Sequence, residues 1–330
     1  MKKLLGLILV IAMVLSMGLS ATAEEGLKVA VVLSGATGDR SFYDSANEGL
    51  QALVASDLGI QGTLIECKND ASMFTTNLIA AAEDNDIVIA VGWEFWDALT
   101  EYAPQLPDTK FIFIDNGLDG VGDNLMSITY AQNEGSFLVG YIAGKLTETG
   151  KIGAVGGEDS ETINDFIVGY RAGAEYAREG CEVQVQYAGT YDDPAKGKEL
   201  ALALYDAGCD IVFQVASRTG EGVFEAAAER GLYAIGVDSD QKYINPDVII
   251  CSMIKQVNLS IEQAVTAYAT EGTWMGGQIW VADMATGLID VGYGDDTMTQ
   301  QVSDELKAEV EEIKAQIIAG EIEVPTAFAG

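Results

Sequence analysis

The feature that most constrains this chain is an alternation of short apolar strands and helices that occurs twice. The predicted strands are Lys28–Leu33, Thr63–Cys67, Asp86–Val91 and Lys110–Ile114 in the first half, and Lys151–Val155, Glu182–Tyr187, Asp210–Val215 and Tyr233–Val237 in the second. Two further strands, Val248–Ile254 and Gln278–Val281, are predicted in the last segment, where the chain returns between the lobes. Continuous apolar strands separated by helices are typical of parallel sheets with helices on both faces. The sequence therefore predicts an α/β protein built from two doubly wound parallel-sheet lobes.

The two halves also match in their internal spacing. Asp86 begins a strand–helix–strand unit that ends at Asp115, 29 residues later (86 to 115), and Asp210 begins one that ends at Asp238, 28 residues later (210 to 238). Chance likeness between two such units is the alternative, and the matched spacings favour the repeat. Ligands of open parallel sheets bind beyond the carboxyl ends of the strands, so we expect a ligand in a cleft between the lobes.

Composition narrows the chemistry of that ligand site. The 330 residues include no histidine, and 51 acidic residues against 18 basic ones give a net charge of −33. Catalytic triads with a histidine base and histidine-ligated zinc are therefore excluded. The negative surface would repel a phosphate backbone, so we expect no nucleic-acid partner. We also expect no cofactor, because no phosphate-binding or dinucleotide motif is present.

The amino terminus predicts export. A basic start at Met1–Lys3 is followed by an apolar run, Leu4–Leu15, and by the A-x-A pattern Ala21–Ala23, so we expect a signal peptide (residues 1–23) cleaved after Ala23. A membrane-anchoring helix is the alternative, but the apolar run is shorter than a membrane span requires. Because a signal peptide directs export, we expect the protein in the periplasm or at the outer face of the cell membrane. No cysteine lies near the cleavage site, so we expect no lipid attached to the amino terminus. The four cysteines, Cys67, Cys181, Cys209 and Cys251, allow three disulfide pairings, and free buried thiols are an equal alternative.

The candidates for ligand binding lie at the predicted strand ends. They are several acidic and aromatic side chains and one basic side chain. Carboxylates accept hydrogen bonds from hydroxyl or amine groups, and aromatic rings hold flat ligands. Ser41 could cap the helix that follows the first strand, which would leave Asp39 free for the ligand. Lys255 would donate to a ligand oxygen, a surface salt bridge being the alternative. The ligand-binding residues that we predict are Asp39, Phe42, Tyr43, Trp93, Asp115, Tyr191, Thr219, Asp238 and Lys255.

Several motifs together resemble one known family. They are Gly38–Phe42, Val91–Trp93, Asp97–Leu99, Ser136–Tyr141, Lys151–Gly153, Gly156–Gly157, Gly169–Gly173, Asp193–Lys198, Gly236–Gln241, Ser252–Lys255 and Ile317–Pro325. With these motifs the chain resembles the basic membrane protein family of ABC-transporter substrate-binding proteins, of the purine-nucleoside-binding, PnrA-like type. The resemblance covers nearly all of the chain after the signal peptide.

The resemblance implies a periplasmic-binding-protein type 1 fold with three crossovers between the lobes. Residues 24–132 and 253–285 would form the N-terminal lobe, and residues 133–252 and 286–330 the C-terminal lobe. It also implies a monomer without catalytic activity that delivers a nucleoside to an ABC permease and ATPase. The base would stack between aromatic rings, and Asp39, Asp115, Asp238 and Lys255 would hold the ribose.

Other functions remain as alternatives. A sugar or autoinducer receptor of the same fold would use a similar cleft. A sensory receptor would report ligand occupancy to a membrane kinase, and a glycosidase would use a carboxylate pair, although no pair is singled out by the sequence.

Overall fold

The structure, a computed structural model, describes residues 26–328. The predicted signal peptide lies outside these residues. The strands are β1 (Lys28–Leu33), β2 (Gln61–Glu66), β3 (Ile87–Val91), β4 (Lys110–Ile114), β5 (Leu125–Tyr130), β6 (Lys151–Gly156), β7 (Glu182–Tyr187), β8 (Ile211–Val215), β9 (Tyr233–Asp238), β10 (Ile249–Lys255), β11 (Ile279–Ala282) and β12 (Ile289–Gly292).

The strands form two six-stranded sheets, one in each lobe. The first has the order β11–β5–β4–β3–β1–β2 and is parallel throughout. The second has the order β12–β10–β9–β8–β6–β7 and is parallel except for the edge pair β10–β12. Strands β5 and β12 were absent from the prediction, and all the predicted strands are present.

Helices cover these sheets. They are α1 (Phe42–Ala55), α2 (Ala71–Asp84), α3 (Trp96–Tyr102), α4 (Gln132–Leu146), α5 (Glu161–Ala177), α6 (Pro194–Asp206), α7 (Glu221–Arg230), α8 (Val257–Glu271) and α9 (Asp304–Ile318). Polar residues begin several of them. The side chains of Asp70, Ser160 and Asp193 accept hydrogen bonds from the first backbone N–H groups of α2, α5 and α6, which otherwise have no partner within the helix.

The chain passes between the sheets three times. It leaves the first sheet after β5, returns after β10, and leaves again between β11 and β12. The predicted two-lobed fold with three crossovers is therefore confirmed. Strand β10, which the predicted boundary at residues 252 and 253 divides, pairs with β9 and β12 of the second sheet, and the lobe boundaries themselves stay a prediction.

Helices α4 and α5 of the second lobe approach each other unusually closely. A β-carbon on Gly173 would lie 1.9 Å from the carbonyl oxygen of Phe137, and one on Gly140 would lie 2.2 Å from that of Tyr170. Because only glycine lacks the β-carbon, these positions let the two backbones touch. Helix α4 follows the first crossover, and α5 begins beside the cleft, so this contact fixes one wall of the cleft to the hinge.

The inner strands β1 and β3 of the first sheet are almost completely buried. Strand residues Val29–Leu33 and Ile87–Val91 are fully buried, as expected for strands covered on both faces. All four cysteines are free, and burial raises the pKa of the Cys209 thiol to about 11.

None of the helices formed by residues 26–328 combines the length and apolar character that a bilayer crossing needs.

Candidate functional site

A cleft with about 630 Å³ of free space, part of it open to solvent, lies between the carboxyl ends of the two sheets; we refer to it as the cavity. It is lined by residues from both lobes and from the crossovers: Phe42, Tyr43, Gly92, Trp93, Glu94, Asp115, Asn116, Ser160, Thr162, Ile163, Phe166, Tyr191, Val215, Ala216, Ser217, Val237, Asp238 and Lys255. The location is the one that parallel-sheet topology favours for a ligand. Seven of the nine predicted ligand-binding residues line it, and the two that do not are Asp39 and Thr219.

Asp115, Lys255 and Asp238 form a charged cluster at this cavity. Nζ of Lys255 lies 2.7 Å from Oδ1 of Asp115 and 3.9 Å from Oδ1 of Asp238. Asp115 directly follows β4 of the first lobe, and Asp238 ends β9 of the second, so the two carboxylates occupy corresponding places in the repeat. The cluster therefore joins the two lobes through a lysine at the second crossover.

The backbone at both carboxylates is unusual. Asp115 has φ 77° and Asp238 has φ 65°. These values lie in the left-handed region of backbone conformation, which residues other than glycine rarely adopt. Strained residues of this kind concentrate at binding sites, where the surrounding structure holds them in place. The matched strain in the two lobes points both carboxyl groups towards the same lysine.

Lys255 is almost completely buried, and aromatic rings surround its ammonium group. Nζ lies 4.9 Å from the ring centre of Phe42, 5.1 Å from that of Tyr130 and 5.2 Å from that of Phe166. These rings remove water and attract the cation through their negative faces. The cluster is therefore a charged site in an apolar surround, where each hydrogen bond to a ligand is stronger than in water.

Burial raises the pKa of Asp238 to about 6. The nearby ammonium of Lys255 and a hydrogen bond from Ser41 oppose this rise in pKa, while the charge of Asp115 adds to it. Asp238 therefore changes its protonation state close to neutral pH, and it accepts hydrogen bonds with both oxygens only in the ionised form.

The helix cap that we predicted at Ser41 is wrong, because Asp39 caps α1 instead. Asp39 accepts hydrogen bonds from the backbone N–H groups of Tyr43 (3.1 Å) and Asp44 (3.0 Å), so it caps α1, whereas the side chain of Ser41 makes no capping bond. Ser41 instead donates to Oδ2 of Asp238 over 2.5 Å. The carboxyl group of Asp39 also accepts from the hydroxyl of Ser217 at 2.8 Å, and it borders a neighbouring cavity.

These contacts hold the two lobes against each other directly. Ser41 and Asp39 of the first lobe bond to Asp238 and Ser217 of the second. In addition, Nε2 of Gln241 donates to the carbonyl oxygen of Arg40 over 3.0 Å. The two lobes are therefore in direct contact beside the cavity.

Thr219 lies outside the cavity because its hydroxyl is used within the second lobe. It accepts from the backbone N–H of Asp193 at 2.8 Å and donates to the carbonyl oxygen of Thr190 at 3.2 Å. It thereby joins the turn after β8 to the loop before α6. The aromatic residues differ in exposure: Tyr43 is buried, Tyr191 is half-buried, and Trp93 is 52% exposed at the rim.

Several lining residues were not predicted, among them Glu94, Asn116, Ser160, Ile163 and Phe166. Three of them could have been predicted from the repeat. We predicted that residues at the start of α1 lie at the cleft, and α5 occupies the corresponding place in the second lobe. The start of α5 carries Ser160, Ile163 and Phe166. Glu94 and Asn116 each follow a predicted residue by one position, and nothing in the local sequence distinguishes them from ordinary turn residues.

The chemistry of the site is that of a receptor for a polar, partly flat molecule. It offers carboxylate acceptors, one ammonium donor, hydroxyl groups and several rings. Among residues 26–328 no group of three or more acidic or sulfur side chains is placed to hold a metal ion.

The chain is similar in sequence to a known family over nearly its whole length. A family model described as "ABC transporter substrate-binding protein PnrA-like" matches residues 27–327. The chain is 33% identical to basic membrane protein A2 of Borrelia garinii subsp. bavariensis, over 98% of this chain and 96% of that relative. It is 33% identical to the ABC transporter nucleoside-binding protein BmpA of Lactococcus lactis subsp. cremoris, over 94% of this chain and 92% of that relative.

A solved structure shares the architecture. It is that of an ABC transporter solute-binding protein from Aeropyrum pernix K1, which is 27% identical to this chain, with a TM-score of 0.80. The likeness covers 91% of this chain and 94% of that one. The whole two-lobed fold, rather than one lobe, is therefore shared.

Proposed function

The chain belongs to the PnrA-like family of ABC-transporter substrate-binding proteins, and from that membership we propose that it binds a purine nucleoside in the cavity between its lobes. It holds the nucleoside without altering it and delivers it to the permease and ATPase of an importer. It acts as a monomer outside the cytoplasm, after removal of the signal peptide at Ala23 and without an N-terminal lipid.

The observation that carries this proposal is the charged cluster of Asp115, Lys255 and Asp238. Two carboxylates accept hydrogen bonds from neighbouring hydroxyl groups, and an ammonium donates to the hydroxyl oxygens. The 2′- and 3′-hydroxyls of a ribose present this combination. The rings of Phe42 and Phe166 lie beside the same cluster and offer apolar surface to the remainder of the ligand.

Asp115, Asp238 and Lys255 therefore hold the ribose in our proposal, and Phe42, Tyr43, Trp93 and Tyr191 contact the base. Asp39 contributes indirectly, because it caps α1 and bonds to Ser217 across the cleft. Thr219 supports the turn that carries Ser217.

Calorimetric titration with guanosine, inosine, adenosine, free bases and ribose tests the proposal. We expect the nucleosides to bind more tightly than either part alone, because only the whole molecule fills both the charged and the aromatic ends. Asp238→Ala should weaken nucleoside binding at least about tenfold, the equivalent of roughly 1.4 kcal/mol. Unchanged affinity in this variant would remove Asp238 from the site.

A sugar receptor is the second candidate, and the same cluster favours it. Carboxylate and ammonium groups bind hydroxyl pairs whether or not a base is attached. A thermal-shift panel of nucleosides and pentoses separates the two, because a ligand that binds only the folded state raises Tm. A rise in Tm with a pentose and none with a nucleoside would favour the sugar.

A further inference from the structure

Glu94 is a charged residue of the cavity that the ribose-binding cluster does not use. It follows Gly92 and Trp93 in the short 3₁₀ turn after β3, and it lines the cavity half-buried. No lysine or arginine of the described chain pairs with it, and Lys255 is engaged by Asp115 and Asp238. The lining residues thus carry three carboxylates and one ammonium.

Two hydroxyl groups lie beside the Glu94 carboxylate. The Ser34 hydroxyl lowers the pKa of Glu94 against the effect of burial, and Oγ of Ser34 lies 2.9 Å from the hydroxyl of Tyr43. Either hydroxyl of this pair can be the donor to the other. Glu94 therefore has hydroxyl groups beside it and no cation of the described chain paired with it.

Gly92 makes room for this arrangement. It has φ 119°, and a β-carbon there would lie 2.2 Å from Oγ of Ser34 and 2.5 Å from Oε2 of Glu94. The turn is therefore built so that Ser34 and Glu94 can lie side by side. Burial raises the pKa of Glu94, and the charges of Glu158 and Asp115 contribute to that rise. A carboxylate in such surroundings gains most from a ligand that donates hydrogen bonds to it.

We propose that Glu94 determines which base the protein prefers, by accepting hydrogen bonds from adjacent N–H donors such as N1–H and the 2-amino group of guanine. This inference rests on the proposed nucleoside function, in which the ribose occupies the cluster at Lys255. The base then lies elsewhere in the cavity, and Glu94 is the charged lining group that remains for its edge.

The two common purines differ at that edge. Guanine places two donors side by side, which matches the two oxygens of one carboxylate. Adenine places the acceptor N1 next to its amino group, so one carboxylate oxygen would face a lone pair. A site that is built to hydrogen-bond a ligand rejects an analogue that leaves its buried polar groups unpaired. We therefore expect the preference guanosine, then inosine, then adenosine.

Calorimetry on the unaltered protein tests the ligand side of this inference. Guanosine should bind at least about tenfold more tightly than adenosine and than 1-methylguanosine, which lacks N1–H, since each of these two leaves an oxygen of the carboxylate without its donor. Equal affinities for guanosine and adenosine would overturn the proposal for Glu94 and leave the nucleoside function standing. Failure of every nucleoside to bind would overturn the nucleoside function itself.

The variant Glu94→Gln tests the residue. Its amide can donate to N1 of adenine and accept from the 6-amino group, so the preference for guanosine over adenosine should disappear. Glu158→Gln is the matched control, because it removes the same charge near Glu94 from a residue that does not line the cavity. An unchanged guanosine-to-adenosine ratio in Glu94→Gln, or an equal change in the control, would contradict the proposal. If Glu94→Gln does not fold, the ligand series on the unaltered protein decides.

Discussion

The hydroxyl of Ser41 donates a 2.5 Å hydrogen bond to Oδ2 of Asp238, although the two residues are 197 positions apart in the chain and lie on opposite lobes. The bond connects the loop before α1 to the strained residue at the end of β9. Closure of the cleft and the electrostatics of the charged cluster therefore depend on the same contact.

Ser41→Ala should loosen closure and weaken ligand binding. Loss of this bond should cost about 1 kcal/mol, which is roughly fivefold in Kd, because a smaller fraction of the protein then occupies the closed state. Small-angle scattering should show a larger radius of gyration for the ligand-free variant, and calorimetry should show the weaker binding. Ser56→Ala is the control, because that hydroxyl bonds to Leu53 of its own helix. An unchanged radius with unchanged affinity would contradict a role in closure.

Ligand affinity should fall as the pH falls below about 6, the pKa of Asp238. In our proposal the ribose hydroxyls donate to the ionised carboxylate, so a protonated Asp238 must lose its proton on binding. The linkage predicts about a tenfold loss of affinity for each pH unit below that pKa. Calorimetric titration between pH 5 and 8 measures it. Asp238→Asn should bind weakly at every pH, and the same slope in this variant would assign the dependence to another group.

The stability of the ligand-free protein should respond to Asp238 in the opposite sense. Its pKa of about 6 lies above the ordinary value of 3.8, so the folded state holds the proton more tightly than the unfolded state. The stabilisation from this residue is complete below 3.8 and is lost as the pH rises through about 6. Thermal melts of the protein and of Asp238→Asn should therefore diverge with rising pH, with the variant becoming the more stable of the two.

Lys255→Met should destabilise the protein as well as abolish tight binding. Within residues 26–328, Lys255 is the cation in ion-pair distance of both Asp115 and Asp238, and its side chain is 3% exposed. Removing one partner of a buried ion pair typically costs about 3–5 kcal/mol, because the remaining charge stays buried. Urea unfolding measures the loss.

A surface pair provides the control for this variant. Lys151 lies 3.2 Å from Glu182, and their side chains are 43% and 52% exposed. Lys151→Met should therefore change the free energy of unfolding by less than about 1 kcal/mol. Similar losses in the two variants would show that burial of the cluster at Lys255 has no special effect.

Gly173→Ala should lower stability through the contact between α4 and α5. The added methyl group would lie 1.9 Å from the carbonyl oxygen of Phe137, so the helices must separate. Overpacking of this kind costs about 1–3 kcal/mol, which outweighs the better helix propensity of alanine. Arg171→Ala, on the exposed side of the same helix, should change little in the same urea titration. A Gly173→Ala protein as stable as the parent would mean that the helices can move apart freely.

The sequence predicted most of the sheet framework because buried parallel strands are continuous and apolar. Glu182–Tyr187 was predicted with the bounds that the structure has. Strands β5 and β12 were missed because Ser127 and Thr129 interrupt the first, and the second is only 4 residues long and contains Asp290. Both lie next to crossovers, where partners in the sheet come from distant parts of the chain.

The site was harder to predict than the fold. Asp39 and Ser41 are equally good helix caps by residue type, and the contact of Ser41 with Asp238 decides between them. That contact is tertiary and leaves no trace in the local sequence. Asp115 and Asp238 could be singled out because the repeat placed them at equivalent strand ends, whereas the turn after β8 that corresponds to the Glu94 turn carries Arg218 at the equivalent position, so the repeat does not single out Glu94.

The glycine seam between α4 and α5 has a mechanical consequence. Two helices whose backbones touch have no side-chain layer that could deform between them, so they move as one lever. One arm of that lever carries Phe166 at the cavity, and the other starts at the first crossover. A shift of Phe166 would thus be transmitted through the contact between α4 and α5 to the first crossover.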